Sequence, residues 1–251
     1  MDTVPGPGPY GPPDGIELDA IVLAGGRGSR LGGIDKAALT LDGKPLLDRA
    51  LDAVDGVAGT VVVVGPERVL ASGEDAARIT ASRSGTDPAG AARLRTARED
   101  PPYGGPAAAT AAGLAALDPD RDGDAWVLLL SCDLVHPAAA VAALVPAVRT
   151  AAREAGTAVD AVVGVDPDGR RQPLTAVYRR RALVAAVAEL VDSGGGSTGA
   201  SMRALIAPLT CVDVLLTRAE SADVDTVEDA LRTGVRLPDD PTRPPRPEED
   251  A

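Results

Sequence analysis

Three places in this 251-residue chain carry residues whose types and spacing could do chemistry. The first is Leu23-Ala-Gly-Gly-Arg-Gly-Ser-Arg-Leu-Gly-Gly-Ile-Asp-Lys36. Glycines let a backbone turn sharply and bring its N–H groups against phosphate oxygens. Here Gly25, Gly26, Gly28, Gly32 and Gly33 are interleaved with Arg27, Arg30 and Lys36. Counting Lys44 against Asp35 and Asp42, the stretch from Gly25 to Lys44 is net +2 in a chain of net charge −12. A basic loop in an acidic protein points to an anionic ligand at that one place. The second place is Asp133, in Ser-Cys-Asp-Leu-Val-His-Pro137, just past an apolar run. A carboxylate there can hold a hard cation such as Mg²⁺ over phosphate oxygens, or cap the helix that begins near Pro137. The third is Asp223-Val-Asp225-Thr-Val-Glu-Asp229. Its spacing suits a helix start, with Asp225 as N-cap and Glu228 three residues on.

Two common phosphate loops do not fit. A Walker A loop starting at Gly28 would need Lys after Gly33, where Ile34 stands. The dinucleotide fingerprint needs a sixth-place Gly, where Leu31 stands, and an acidic residue about 20 residues on.

The elements that must position these residues follow from the apolar pattern. Strands are expected at Ile21–Ala24, Thr60–Val64, Leu94–Arg98, Trp126–Leu130 and Cys211–Leu215. Val159–Val165 and Pro173–Tyr178 should form an antiparallel hairpin around Asp166-Pro-Asp-Gly169. Helices are expected from Pro45 to about Val54, at Pro106–Leu117, Pro137–Arg153, Arg181–Val191 and Thr226–Arg232. This alternation argues for α/β architecture with a mostly parallel sheet covered on both faces. Ligands in such sheets bind past the carboxyl ends of the strands. One domain is expected over residues 18–235, with disordered tails at 1–17 and 236–251, the latter acidic and Pro-rich. The stretch from Ala71 to Gly90 reads as soft.

Composition narrows the function. An acidic chain is a poor non-specific binder of nucleic acid or anionic membrane. Cys132 and Cys211 are too few for a disulfide framework or a four-ligand zinc site. No run reaches the length of a membrane span and no secretory leader is recognisable, so a cytoplasmic location is expected. The lone His136 offers no nucleophile-and-base pair and reads as local structure.

The loop and the Asp133 turn resemble the molybdenum cofactor guanylyltransferase-like branch of the nucleotidyltransferase superfamily. The Gly-Gly-Ile-Asp-Lys36 ending and the following Asp-Gly-Lys-Pro-Leu46 carry the likeness. It covers residues 18–232, most strongly 21–47, then 98–137, then 172–232. It implies a three-layer α/β/α sandwich with a mostly parallel mixed sheet, the Rossmann-like (GT-A-like) nucleotide-diphospho-sugar transferase fold. By resemblance, the backbone of Leu23, Ala24 and Gly25 holds the nucleotide, with Gly26, Arg27, Gly28 and Ser29 continuing the loop. Arg30 and Lys36 bind its phosphates. Asp133 binds Mg²⁺, joined by Asp225. Asp100, in Arg98-Glu-Asp-Pro-Pro-Tyr-Gly-Gly-Pro106, contacts the nucleotide and helps to read the base, while Gly104 and Gly105 allow close backbone approach. Val64 stands where some members carry Asn, which removes a polar side chain from the base pocket. The implied reaction moves GMP from GTP to molybdenum-bound molybdopterin, with a molybdoenzyme or chaperone as recipient of the product. The same loop serves cytidylyltransferases, nucleotidyltransferases acting on other sugar or small-molecule phosphates, and a nucleotide-binding module without catalysis.

Overall fold

The computed structural model describes residues 16–25, 31, 34, 36–66, 93–118, 125–154, 158–192 and 199–237. The chain opens with β1 (Leu18–Leu23), then a 3-10 turn at Lys36–Ala38 and a small ribbon of β2 (Thr40–Leu41) and β3 (Lys44–Pro45). Helix α1 (Leu46–Val54), β4 (Thr60–Val64), β5 (Arg93–Ala97), α2 (Pro106–Ala116) and β6 (Trp126–Ser131) follow. The second half runs α3 (Pro137–Glu154), β7 (Ala161–Val165), β8 (Arg171–Arg179), α4 (Arg180–Leu190), α5 (Met202–Ile206), β9 (Cys211–Leu215) and α6 (Val227–Thr233).

Seven strands form one sheet in the order β5-β4-β1-β6-β8-β7-β9. Only β8 runs against its neighbours β6 and β7; the other pairings are parallel. The chain steps outward from β1 to β4 and β5, then returns to the other side of β1 for β6. Strand order therefore reverses between β1 and β6, which opens a crevice past their carboxyl ends.

Period-two alternation in the strands builds two separate cores. Ala20 and Val22 of β1 face α1 and α3, packing with Leu47, Leu51, Leu144 and Val148. Ile21 and Leu23 face the opposite layer, with Leu114, Leu183 and Leu205. Each such buried Val, Leu or Ile contributes about 1.5–3 kcal/mol. With almost no aromatic bulk, the helices must sit close. At Gly113 a Cβ would lie 2.6 Å from Ile21 Cγ2, so glycine there lets α2 rest on the sheet.

A third cluster lies beyond the sheet's end. Leu31, Leu39, Leu41, Leu46, Val135, Val224, Ala230 and Val235 pack together. It joins the segment after β1, the β2–β3 ribbon, the turn after β6 and α6 into one unit. Paired backbone bonds between Thr40 and Arg236 (3.1 and 2.7 Å) close it.

The expected hairpin is present as β7–β8. The Asp166 carboxylate accepts the N–H groups of Asp168 and Arg170, both at 2.9 Å. The ladder is not regular: register jumps from Val163↔Ala176 to Gly164↔Gln172, so Pro173–Thr175 bulge from β8. The Tyr178 hydroxyl donates to the Pro173 carbonyl at 2.7 Å and steadies the bulge.

Several expectations shift. Pro45 precedes α1 as its N-cap rather than opening it. Strand β5 has only Leu94 buried, which explains its weak pattern. The β2–β3 ribbon and five-residue α5 are too short for any periodicity to announce. Residues expected in the tails join the domain: the Glu17 carbonyl accepts the Trp126 N–H, and Arg236 pairs with Thr40. The expected tail segments 1–15 and 238–251, and Ala71–Gly90, lie outside the described residues.

Candidate active site

The crevice between β1 and β6 carries a charged half. The Lys36 ammonium donates to Asp133 Oδ2 at 2.7 Å and to Asp225 Oδ1. These residues come from three distant parts of the chain. Asp133 sits just past β6, and the Ser131 hydroxyl donates to its Oδ1. Asp225 reaches it because the segment after β9 docks on the same turn. Leu134 and Asp223 form a one-residue bridge, with Val135 N–H on the Ala222 carbonyl (2.9 Å) and Val224 N–H on the Asp133 carbonyl (3.2 Å). Val135 and Val224 anchor that contact in the third apolar cluster.

Burial disfavours charge on Lys36, but the two carboxylates outweigh it and hold its pKa above the ordinary lysine value. Asp223, open to solvent on one side, has its carboxyl pushed up to about 6. Partial burial is the largest cause, followed by the negative charges of Asp133 and Asp225; Lys36 pulls the other way.

Asp225 is not the cap of the last helix. Thr226 is, accepting the Asp229 N–H, while the Asp229 carboxylate accepts the Thr226 N–H at 2.9 Å. The capping box thus falls one residue later than the sequence suggests, with Asp229 and not Glu228 as its acidic partner. The Asp225 side chain turns to Lys36.

The second half is a cleft of roughly 250 Å³. Leu23 and Gly25 form one wall, Gly105, Pro106 and Ala109 another, and Glu99, Tyr103, Ser131 and Leu174 complete it. Ser131 belongs to both halves. Gly105, at φ 91°, caps α2 in a conformation that favours glycine, and Pro106 takes the first helical position. The first turn of α2 carries no acidic residue, and its positive dipole end lies at the cleft. The β8 bulge brings Leu174 to this lining.

Of the two acidic residues after β5, Glu99 and not Asp100 lines the cleft. Asp100 is exposed, while Glu99 Oε1 accepts the Tyr103 N–H at 3.2 Å and lies beside Gly25. Glu99, Ser131 and Leu174 were not expected at the site. For Ser131 a signal existed, since it is the first polar residue at the end of Trp-Val-Leu-Leu-Leu-Ser.

Leu23, Ala24, Gly25, Lys36, Gly105, Asp133 and Asp225 all lie at this end of the sheet. Gly26, Arg27, Gly28, Ser29 and Arg30 lie outside the described residues. The segment is secured on either side of them: Ala24 N–H donates to the Val64 carbonyl at 2.8 Å, and Leu31 is buried in the third cluster. Val64 itself is buried and meets this segment through that carbonyl. A wider groove of about 480 Å³ between α1 and α3, lined by Lys44, Arg49, Asp52 and His136, contains none of these residues. Cys132 is buried and Cys211 half-buried, and neither is in a disulfide. Among the described residues no helix is long and apolar enough to cross a membrane.

An anchored ammonium, two converging carboxylates and a helix N-terminus around a cleft suit a ligand with a polyphosphate and a planar group. Comparisons with known proteins agree. The profile of the MobA-like NTP transferase domain matches residues 20–212. A molybdenum cofactor guanylyltransferase of Cupriavidus taiwanensis is 30% identical over 183 residues, 72% of this chain and 78% of that protein. One from Acidiphilium cryptum is 51% identical over 51 residues, 20% of this chain and 26% of that protein. Among solved structures, the 2-C-methyl-D-erythritol 4-phosphate cytidylyltransferase of Francisella tularensis shares the fold. Its TM-score is 0.60 at 14% identity, covering 87% of this chain and 98% of that one.

Proposed function

The chain belongs to the MobA-like NTP transferase family and is a nucleotidyltransferase; from that premise we propose that it moves GMP from GTP onto molybdenum-bound molybdopterin, releasing pyrophosphate. The observation that carries this reading is the meeting of Lys36, Asp133 and Asp225 beside the cleft at the β1–β6 crevice. The names of the relatives supply the base and the acceptor.

The nucleotide lies with its base in the cleft and its phosphates toward Lys36. Glu99 reads the base: a carboxylate accepts the N1–H and N2–H₂ donors of guanine together. Gly25 and Gly105 let the backbone come close to the base. Lys36, with Arg30, takes up charge developing on the α-phosphate and departing pyrophosphate. An acceptor phosphate oxygen attacks the α-phosphorus in line, the bond to pyrophosphate breaks, and no covalent enzyme intermediate is required. The side chains position and stabilise rather than react.

Asp133 and Asp225 are the residues that would hold Mg²⁺. Their carboxylates converge on one ammonium nitrogen, so a hard cation in that neighbourhood meets oxygen donors from both. One or two carboxylates are the usual protein share of Mg²⁺ coordination. When bound, the ion supplies charge neutralisation across the phosphate oxygens.

Incubation with each NTP in turn, Mg²⁺ and molybdenum-loaded molybdopterin, followed by pyrophosphate measurement, tests the assignment. Release with GTP above the other nucleotides is the expected result. Release with CTP instead would make the chain a cytidylyltransferase. Absence of release with any NTP, across sugar phosphates as well, would leave a binding module.

A further inference from the structure

The contact between Lys36 and the two carboxylates has a consequence for how ligands enter. Lys36 is a single cation held by oxygens from both proposed metal ligands. An ammonium and a divalent ion make the same demand on those oxygens, so they compete. The ammonium is tethered to the chain, which gives it a high effective concentration at the pair. Its backbone is held as well: the Lys36 carbonyl accepts the Leu39 N–H at 3.2 Å, and the bridge at Leu134 and Asp223 fixes the carboxylates relative to one another. Ser131 holds Asp133 Oδ1, leaving Oδ2 as the oxygen that Lys36 takes.

We propose that Lys36 is a built-in counter-ion that keeps the carboxylate pair from a free divalent cation and releases it when a polyphosphate gives the ammonium a new partner. Metal and nucleotide then bind with strong positive coupling. By linkage, each raises the other's affinity by the same factor. The chain takes the nucleotide and its metal together, and free metal poorly. This rests on the reading of Asp133 and Asp225 as metal ligands. It adds a second role for Lys36, as the group whose transfer from carboxylate to phosphate admits the metal.

The test is calorimetric titration of the full chain with MnCl₂, with and without GTP and with no acceptor present. Wild type should bind Mn²⁺ weakly alone and at least tenfold more tightly with GTP. Lys36→Met should bind Mn²⁺ alone at least tenfold more tightly than wild type, and GTP should then add less. Lys36→Gln, which keeps a donor for one carboxylate without the charge, should shift in the same direction. Far-UV circular dichroism of each variant checks that it is folded, and the Gln variant serves if the Met variant is not. Mn²⁺ binding lost in Asp133→Asn, but no tighter in either Lys36 variant, would overturn the counter-ion role and leave the metal ligands standing. Mn²⁺ binding indifferent to Asp133→Asn would overturn both.

Discussion

On one side of Ser131 the site is made of charged side chains; on the other it is made of backbone and apolar surface. The charged half depends on parts of the chain far apart in sequence. Lys36 and Asp225, 189 positions apart, meet because a satellite apolar cluster clamps the C-terminal segment to the turn after β6. The cleft half grows directly from the central sheet and α2, with Glu99 as its single acidic member among the described residues. The contrast separates two tasks. Charge must be concentrated where phosphate chemistry occurs, and long-range docking assembles it. In the proposed reading, the base takes a shaped surface with one specific acceptor, and the central sheet with α2 supplies that surface.

The sharpest way to break this division is to remove Asp133. Asp133→Asn should lower turnover by about a thousandfold or more, roughly 4 kcal/mol of barrier, with the melting temperature held near that of the parent. Pyrophosphate release and a thermal melt read both; turnover within tenfold of wild type would refute the role. Glu99→Gln probes the other half. It should lower kcat/KM for GTP by roughly 10–100-fold, the ~1.5–3 kcal/mol scale of a hydrogen bond to a charged group, and leave the other nucleotides nearly unchanged. An equal loss with all four would mean that Glu99 does not read the base.

A change that touches neither half directly should still distinguish them. Val224→Ala thins the satellite cluster under Asp225, costing about 1–3 kcal/mol of stability. Turnover should fall by about tenfold through misplacement of the carboxylate, while GTP affinity holds. Loss of nucleotide affinity in parallel would show that the halves are one cooperative unit. The smallest effect is expected at the capping box. Thr226→Ala should cost about 1 kcal/mol, or roughly 2–4 °C, with little change in activity. The Asp229 carboxyl is held down to about 2, first by Arg232 and then by Thr226. Because that pKa is depressed, its stabilisation is complete above about pH 4 and is lost as pH falls toward 2. Melting curves of wild type and Asp229→Asn should therefore differ at pH 7 and converge at low pH.

Much of the sheet was readable because its strands are buried on both faces. Within them, residues 61–64 and 126–130 are continuous apolar runs of strand length, and no surface element needs that pattern. Lys36 and Asp133 were readable from residue type and spacing. Glu99 and Asp100 were not separable, since both are acidic and adjacent. Which one turns inward depends on the loop path after β5, where the Tyr103 N–H takes hold of Glu99. Leu174 was out of reach for a similar reason: it lies in an apparently ordinary strand, and only pairing to two neighbours reveals the bulge.

By itself, then, the sequence determined the α/β alternation, the hairpin at Asp166–Gly169, and a glycine-rich, basic stretch followed by a carboxylate past a buried strand. All of these are local, set by side-chain periodicity and turn chemistry within about ten residues. Tertiary structure alone decided that Asp225 turns to Lys36 instead of capping α6, that Ser131 joins the two halves, and that Lys36 sits between both carboxylates. Those outcomes depend on which distant segments dock, and docking is governed by the fit of whole apolar surfaces, such as Val135 against Val224, that no spacing along the chain encodes.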